Sequence, residues 1–272
     1  DMASPITPRQ VSSGAAFSVD RMAFAYPESL RAVFERFSLK ARPGEFVAIL
    51  GPSGCGKSTL LNLLSGFLRP QSGHITIDGV PVVPEHPVLG YVFQSPNLFP
   101  WLSVLENVRF GLRMNRRGSA QEQRDVALNF LRLVGLEEQA HEPPHRLSGG
   151  QRQRVALARS LALEPRLLLM DEPFAALDAL TRASLNDELL RIWSGLGKTI
   201  LFITHDIDEA IYLADRVLVL GLPPTGITAE VAIDLPRPRN QRGTRANPSF
   251  AQLREQLSEE IAKVMTSNQR VS

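Results

Sequence analysis

The sequence is poor in cysteine. Among 272 residues there is one, Cys55, which excludes an internal disulfide and is compatible with a reducing compartment. No apolar run approaches the ~18 residues that a membrane-spanning helix needs. The opening stretch DMASPITPRQVSSG lacks the charged-then-apolar pattern of a secretory signal, so a cytoplasmic chain is the expectation. Neither sign of charge is in excess: 30 Lys and Arg face 28 Asp and Glu, a net charge of +2. No long basic block gathers the surplus, so the chain lacks the electrostatic footprint of a nucleic-acid binder. Internal repeats are absent. An apolar fraction of 43% and a charged fraction of 21% describe an ordinary globular protein. Its length suits one sizeable domain or one core plus a subdomain.

Residues 1–15 are polar and rich in Pro and Ser, and read as a loose tail. The alternating segments FSVDRMAF and VFERFSLKA predict strands of a partly exposed antiparallel sheet. EFVAIL is uniformly apolar, as a strand buried on both faces should be, and VLGYVF, RLLLMD, TILFITH and RVLVLG share that character. Helical patterns such as TRASLNDELLRIWSGL separate most of them, which predicts a doubly wound α/β core. From Gln94 to Gly149 the pattern is helical alone, in SVLENVRFGLRMN and AQEQRDVALNFLRLVGL, and marks an inserted helical subdomain at about 95–162. After Gly221 come the strand-like ITAEVAI, a Pro/Arg-rich linker and a C-terminal helix near SFAQLREQLSEEIAKVM. The expected division is therefore a tail at 1–15, a main domain at 16–236, and a linker and helix at 237–272.

Between EFVAIL and a helical LLNLLSG lies the stretch Gly51, Pro52, Ser53, Gly54, Cys55, Gly56, Lys57, Ser58, Thr59. It fits G-x-x-x-x-G-K-[ST] in the strand-to-helix context that this pattern requires. Glycines let successive backbone N–H groups curl around phosphate oxygens, and the helix N-terminus adds partial positive charge. Lys57 would reach the β- and γ-phosphates, the Ser58 hydroxyl would ligate Mg²⁺, and Thr59 would bond the α-phosphate. Cys55 need contribute only its backbone N–H. A second signature, RLLLMDEP, ends an apolar strand at Asp171, placed to hold Mg²⁺ through water. Glu172 beside it is free to polarise the attacking water.

A third motif narrows the class. Leu147, Ser148, Gly149, Gly150 and Gln151 read LSGGQ and open a basic, periodic helix, which makes a second anion-binding helix end. One nucleotide does not need two such ends within one chain. Two copies arranged head to tail would use both, each LSGGQ closing over the nucleotide on the opposite phosphate loop.

With these motifs in this order, the chain from Phe17 to about Pro236 resembles the nucleotide-binding subunit of an ATP-binding cassette (ABC) transporter. The resemblance implies a P-loop NTPase core, mostly parallel with helices on both faces, plus an antiparallel β-subdomain and an α-helical insertion. It implies further roles: Tyr26 stacks on adenine, Gln94 touches Mg²⁺ or the attacking water, Asp178 ends the D-loop at the dimer interface, and a neutral His205 bonds the γ-phosphate while holding Glu172. Lys57, Gln94, Glu172 and His205 are thus the expected catalytic group, and Ser58, Gln94 and Asp171 the metal ligands. The D-loop reads AALD, with Ala175 where the family commonly has Ser.

A lone cassette with a compact helical insertion is similar to importer subunits, and FQSPNLFPWLSVLENV, DEPFAALDALTR and the short DLPRPR tail resemble the nitrate, sulfonate and taurine group. That implies ATP and Mg²⁺ as cofactors and a second identical or homologous cassette as partner. It further implies membrane permease subunits, a solute-binding protein within the complex, no nucleic acid, and a peripheral place on the cytoplasmic face of the cell membrane. The apolar LFPW would form part of a groove for a permease helix. The alternative is a non-transport ATPase of the same family that regulates a protein or nucleic-acid partner.

Overall fold

A computed structural model describes residues 14–29, 31–84 and 86–268; the expectation for residues 1–13 lies outside them. Inward apolar side chains alternate with outward polar ones along β1 (Phe17–Ala25) and β2 (Ala32–Ala41), and the two strands pair antiparallel. All five residues of β3 (Phe46–Leu50) are buried. The helix α1 (Lys57–Leu64) follows, then β4 (Ser72–Ile77) and β5 (Val80–Pro81), which complete a four-stranded sheet in the order β2-β1-β4-β5. Sequence patterning does not reveal β4, because SGHITI buries only Ile75 and Ile77 and carries a glycine and a histidine.

The larger sheet is built from β3, β6 (Leu89–Val92), β7 (Leu167–Asp171), β8 (Thr199–Thr204), β9 (Arg216–Leu220) and β10 (Ile227–Ala232), in the order β10-β9-β3-β8-β7-β6. Its first five strands run parallel and β10 is antiparallel at one edge. Between β6 and β7 the chain leaves the core as α2 (Val104–Met114), α3 (Ala120–Leu133), a 3₁₀ turn at Pro144–Arg146 and α4 (Gly149–Leu161). Then α5 (Ala179–Leu196) connects β7 to β8, and α6 (Ile207–Leu213) connects β8 to β9. A short α7 (Gln241–Arg245) and α8 (Pro248–Asn268) end the described chain.

The stretch read from the sequence as a linker is packed on the core. Arg239 Nη1 caps the end of α6 through the carbonyls of Ile211, Tyr212 and Ala214. Arg237 bonds Asp215 at 2.8 Å and lies over the Trp193 ring. At the other end, Gly14 N donates to Gly197 O and Ala15 is fully buried.

Asn107 of α2 is fully buried and organises the loop just before its own helix. Its Oδ1 accepts from Phe99 N at 2.8 Å, and its Nδ2 lies 3.0 to 3.1 Å from the carbonyls of Phe99, Leu102 and Ser103. Trp101 is thereby held out at 76% exposure. Because Asn107→Ala would leave buried backbone groups without partners, it should destabilise the chain by about 2–4 kcal/mol in urea unfolding; a loss below about 0.5 kcal/mol would contradict this packing.

Candidate functional site

Six helices after α1 are capped by the side chain of Ser103, Ser119, Ser148, Asp178, Asp206 or Asn240. α1 begins instead at Gly56 and has no side-chain cap, so its first N–H groups are left to a ligand. Gly56 adopts φ +93°, and a Cβ there would sit 3.0 Å from Val33 and 3.1 Å from Phe34, which only glycine avoids. Lys57 Nζ curls back over the loop, donating to Gly51 O at 2.7 Å and Pro52 O at 3.2 Å. Ser53, Gly54, Gly56, Lys57, Ser58, Thr59 and Glu172 line a cleft of about 460 Å³, together with Val33 and Pro223. The last two come from distant segments, and no local sequence signal marks them.

From the end of β7 Glu172 lines this cleft, and His205 after β8 reaches it through Glu172. Glu172 follows β7 with φ +42°, and its Oε1 lies 3.7 Å from Lys57 Nζ while its Oε2 lies 3.0 Å from His205 Nδ1. Asp171 is half-buried. Burial, and then the neighbouring Glu172 carboxylate, push its carboxyl above the usual range, while Lys57 opposes them. A neutral His205 that gives its Nδ1–H to Glu172 presents a lone pair at Nε2. Simultaneous donation to a phosphate therefore needs the doubly protonated ring, or a turn away from Glu172, which qualifies the expectation that a neutral imidazole suffices.

Tyr26 is 40% exposed at the far side of the loop. Its hydroxyl pairs with Thr59 Oγ1 at 2.9 Å, and Phe24 packs edge-on against its ring. Cys55 points the other way, into the core under β3, where burial raises its thiol pKa. Gln94 lies two residues beyond β6, and its carbonyl is held by Gln153 Nε2 of α4.

The LSGGQ residues form a separate site. Ser148 caps α4 reciprocally with Gln151: Gln151 N donates to Ser148 Oγ at 3.2 Å, and Ser148 N to Gln151 Oε1 at 2.9 Å. The N–H groups of Gly149 and Gly150 stay outside this box. Gly150 has a packing reason beyond presenting its N–H, since a Cβ there would meet Thr181 Cγ2 at 2.6 Å. Leu147 is buried in the core. Ser148, Gly150 and Gln151 line a cleft of about 440 Å³ with Leu180 and Thr181 of α5, the helix whose N-terminus Asp178 caps through Leu180 N and Thr181 N. Hydrogen bonds from Thr181 and Leu180 hold the Asp178 carboxyl below its ordinary value. The two clefts share no lining residue.

The chain is similar to known proteins over most of its length. Residues 34–175 match the family described as ABC transporter. The chain is 46% identical over 233 residues to the nitrate import ATP-binding protein NrtD of Synechococcus elongatus, covering 85% of each chain. It is 45% identical over 238 residues to the taurine import ATP-binding protein TauB of Pseudomonas aeruginosa, covering 86% of this chain and 90% of that one. Among solved structures, the dimeric post-hydrolysis state of the ATP-binding cassette MJ0796, bound to ADP and Pi, superposes with a TM-score of 0.69 at 34% identity, covering 80% of this chain and 98% of that one.

The inward orientation of Cys55 is open to direct check. At neutral pH a maleimide should leave the folded protein unlabelled and modify Cys55 fully in urea; rapid labelling of the folded chain would show that the thiol faces the phosphate loop's open side.

Proposed function

The chain belongs to the ABC transporter family and is the ATP-hydrolysing subunit of an importer; we propose that it works as a head-to-tail pair with two composite ATP sites. The observation that carries this reading is the separation within one chain of the cleft at Lys57 from the cleft at Ser148. Each is a helix end suited to phosphate, and a nucleotide on the first is completed by the second from the partner.

In each composite site Tyr26 stacks on the base, Lys57 and the N–H groups of residues 53–59 bind the phosphates, and Thr59 bonds the α-phosphate. Glu172 accepts the proton of the attacking water, and His205 fixes its carboxylate from the far side. Gln94 stands where the phosphate site meets the helical insertion, and Asp178 orders the segment that faces the partner.

The donor set fits Mg²⁺. Ser58, Asp171 and the Gln94 amide offer the hard oxygens that ion prefers, and Lys57 is set against two carboxylates, Asp171 and Glu172, before any triphosphate arrives. When bound, the ion neutralises phosphate charge.

No helix among the described residues is long and apolar enough to cross a membrane. In this reading, as the import relatives suggest, membrane permease subunits supply the path for the solute, and this chain docks on their cytoplasmic side. The exposed Trp101, whose ring meets that of the half-buried Phe99 at 5.6 Å and a tilt of 43°, offers the apolar contact for a permease helix. The nitrate and taurine import relatives favour a small anionic solute, delivered by a solute-binding protein, over the non-transport alternative.

Two substitutions separate binding from chemistry. Glu172→Gln should leave ATP affinity intact and cut phosphate release by ~10²- to 10⁴-fold, the range that general base catalysis supplies. Lys57→Ala should instead weaken nucleotide binding itself in a fluorescence titration, since a charge-assisted contact is lost in the ground state. Wild-type turnover in the first, or unchanged affinity in the second, would remove that residue from its role.

A further inference from the structure

One guanidinium joins the loop that carries His205 to the segment that carries Glu172. Arg182, in the first turn of α5, donates from Nη1 to Asp206 Oδ2 at 3.1 Å and from Nη2 to Leu177 O at 3.0 Å. Asp206 is the residue after His205. Leu177 closes the turn that starts at Glu172, where Ala175 N donates to Glu172 O and Leu177 N to Phe174 O.

The rest of the His205 loop is fixed from within. The Thr204 hydroxyl donates to Glu209 Oε2 at 2.6 Å and accepts from Asp206 N at 3.1 Å, while Asp206 Oδ1 caps α6 through Glu209 N at 3.0 Å. These bonds make the loop and α6 one unit, and β8 is tied to Glu172 before the loop begins, where Glu172 N donates to Ile203 O at 2.9 Å; beyond Ile203 none of them reaches the segment that carries Glu172. Arg182 supplies that second constraint. A planar guanidinium can hold a carboxylate and a carbonyl in two directions at once, which a single-point cation does not reproduce.

We propose that Arg182 is a positioning residue for ATP hydrolysis, which holds His205 at its 3.0 Å contact with Glu172 by tying Asp206 to the Leu177 carbonyl. The proposal rests on the assignment of Glu172 and His205 to the reaction. Arg182 lines neither the Lys57 cleft nor the Ser148 cleft, so its loss acts on turnover and not on nucleotide binding. Its neighbour Thr181 lines the Ser148 cleft, so the same turn of α5 borders the second anion site.

The test is steady-state ATP hydrolysis by the full chain carrying Arg182→Gln, Asp206→Asn, both, or each with His205→Ala. Asparagine at position 206 keeps an acceptor for Glu209 N and loses the charge. Arg182→Gln should lower kcat by about 10-fold or more, as misplacement of a catalytic group does, with the KM for ATP within about twofold of the unsubstituted chain. Asp206→Asn should lose a comparable factor, the double variant no more than the larger single loss, and Arg182→Gln should subtract nothing further from the residual rate of His205→Ala. A kcat of Arg182→Gln within about twofold of the unsubstituted value, additive losses in the double variant, or an undiminished loss in the His205→Ala background would overturn the proposal. If Arg182→Gln does not fold, Asp206→Asn and Arg182→Lys decide the question by the same kcat-against-KM split. Failure of the underlying assignment looks different: His205→Ala and Glu172→Gln would then hydrolyse ATP at the unsubstituted rate.

Discussion

The parallel register of β3, β8 and β7 brings three strands that are distant in sequence to a common edge of the sheet. Leu50 pairs with Thr204, and Asp171 with Ile203, so the phosphate loop, His205 and Glu172 leave the sheet side by side. The polar geometry of the site starts from that alignment: Glu172 meets Lys57 on one side and His205 on the other. The strands themselves are fully buried up to these ends, so a slip of register would bury polar groups and expose apolar ones. Hydrophobic burial thus fixes the position of the charged cluster.

The second anion site is tied to the first by different means. α4 carries Ser148 at its start, and further along its Gln153 holds the carbonyl of Gln94 while Arg159 holds those of Pro96 and Asn97. The segment that leaves the core at Gln94 is therefore stitched to the helix that presents LSGGQ. Arg154 of the same helix reaches Glu188 of α5 at 2.7 Å and Val134 O at the end of α3. A displacement of the helical insertion would carry Gln94 and Ser148 together, which is what the proposed coupling between a membrane partner and two half-sites requires.

Motifs with local physical causes were legible in the sequence. The phosphate loop, the Asp171–Glu172 strand end and LSGGQ each need a fixed run of residue types, and the buried strands announce themselves by uninterrupted apolar character. β4 and β5 were not legible, since their few inward residues fall below any period. Nor was the packing of residues 234–248: a Pro/Arg-rich composition reads as linker, and only the fold shows Arg237 and Arg239 reaching the carbonyls that end α6. The role of Arg182 was not legible for the same reason, because its partners lie 5 and 24 positions away and no pattern joins them. The separation of the two clefts could be argued from the sequence only as a surplus of helix ends; the coordinates make it a matter of lining residues.

In the proposed pair each nucleotide is held by two chains, and mixed mutants put this to the test. In a Glu172→Gln background, Lys57→Ala removes the phosphate clamp and Ser148→Arg fills the second anion site, so neither protein alone should dimerise on ATP. Mixed together, they should recover a dimer by size-exclusion chromatography with about one nucleotide per pair, because one interface then carries both lesions and the other none. If the Ser148→Arg protein alone dimerises on ATP with unaltered affinity, the nucleotide is held within one chain and the account is wrong.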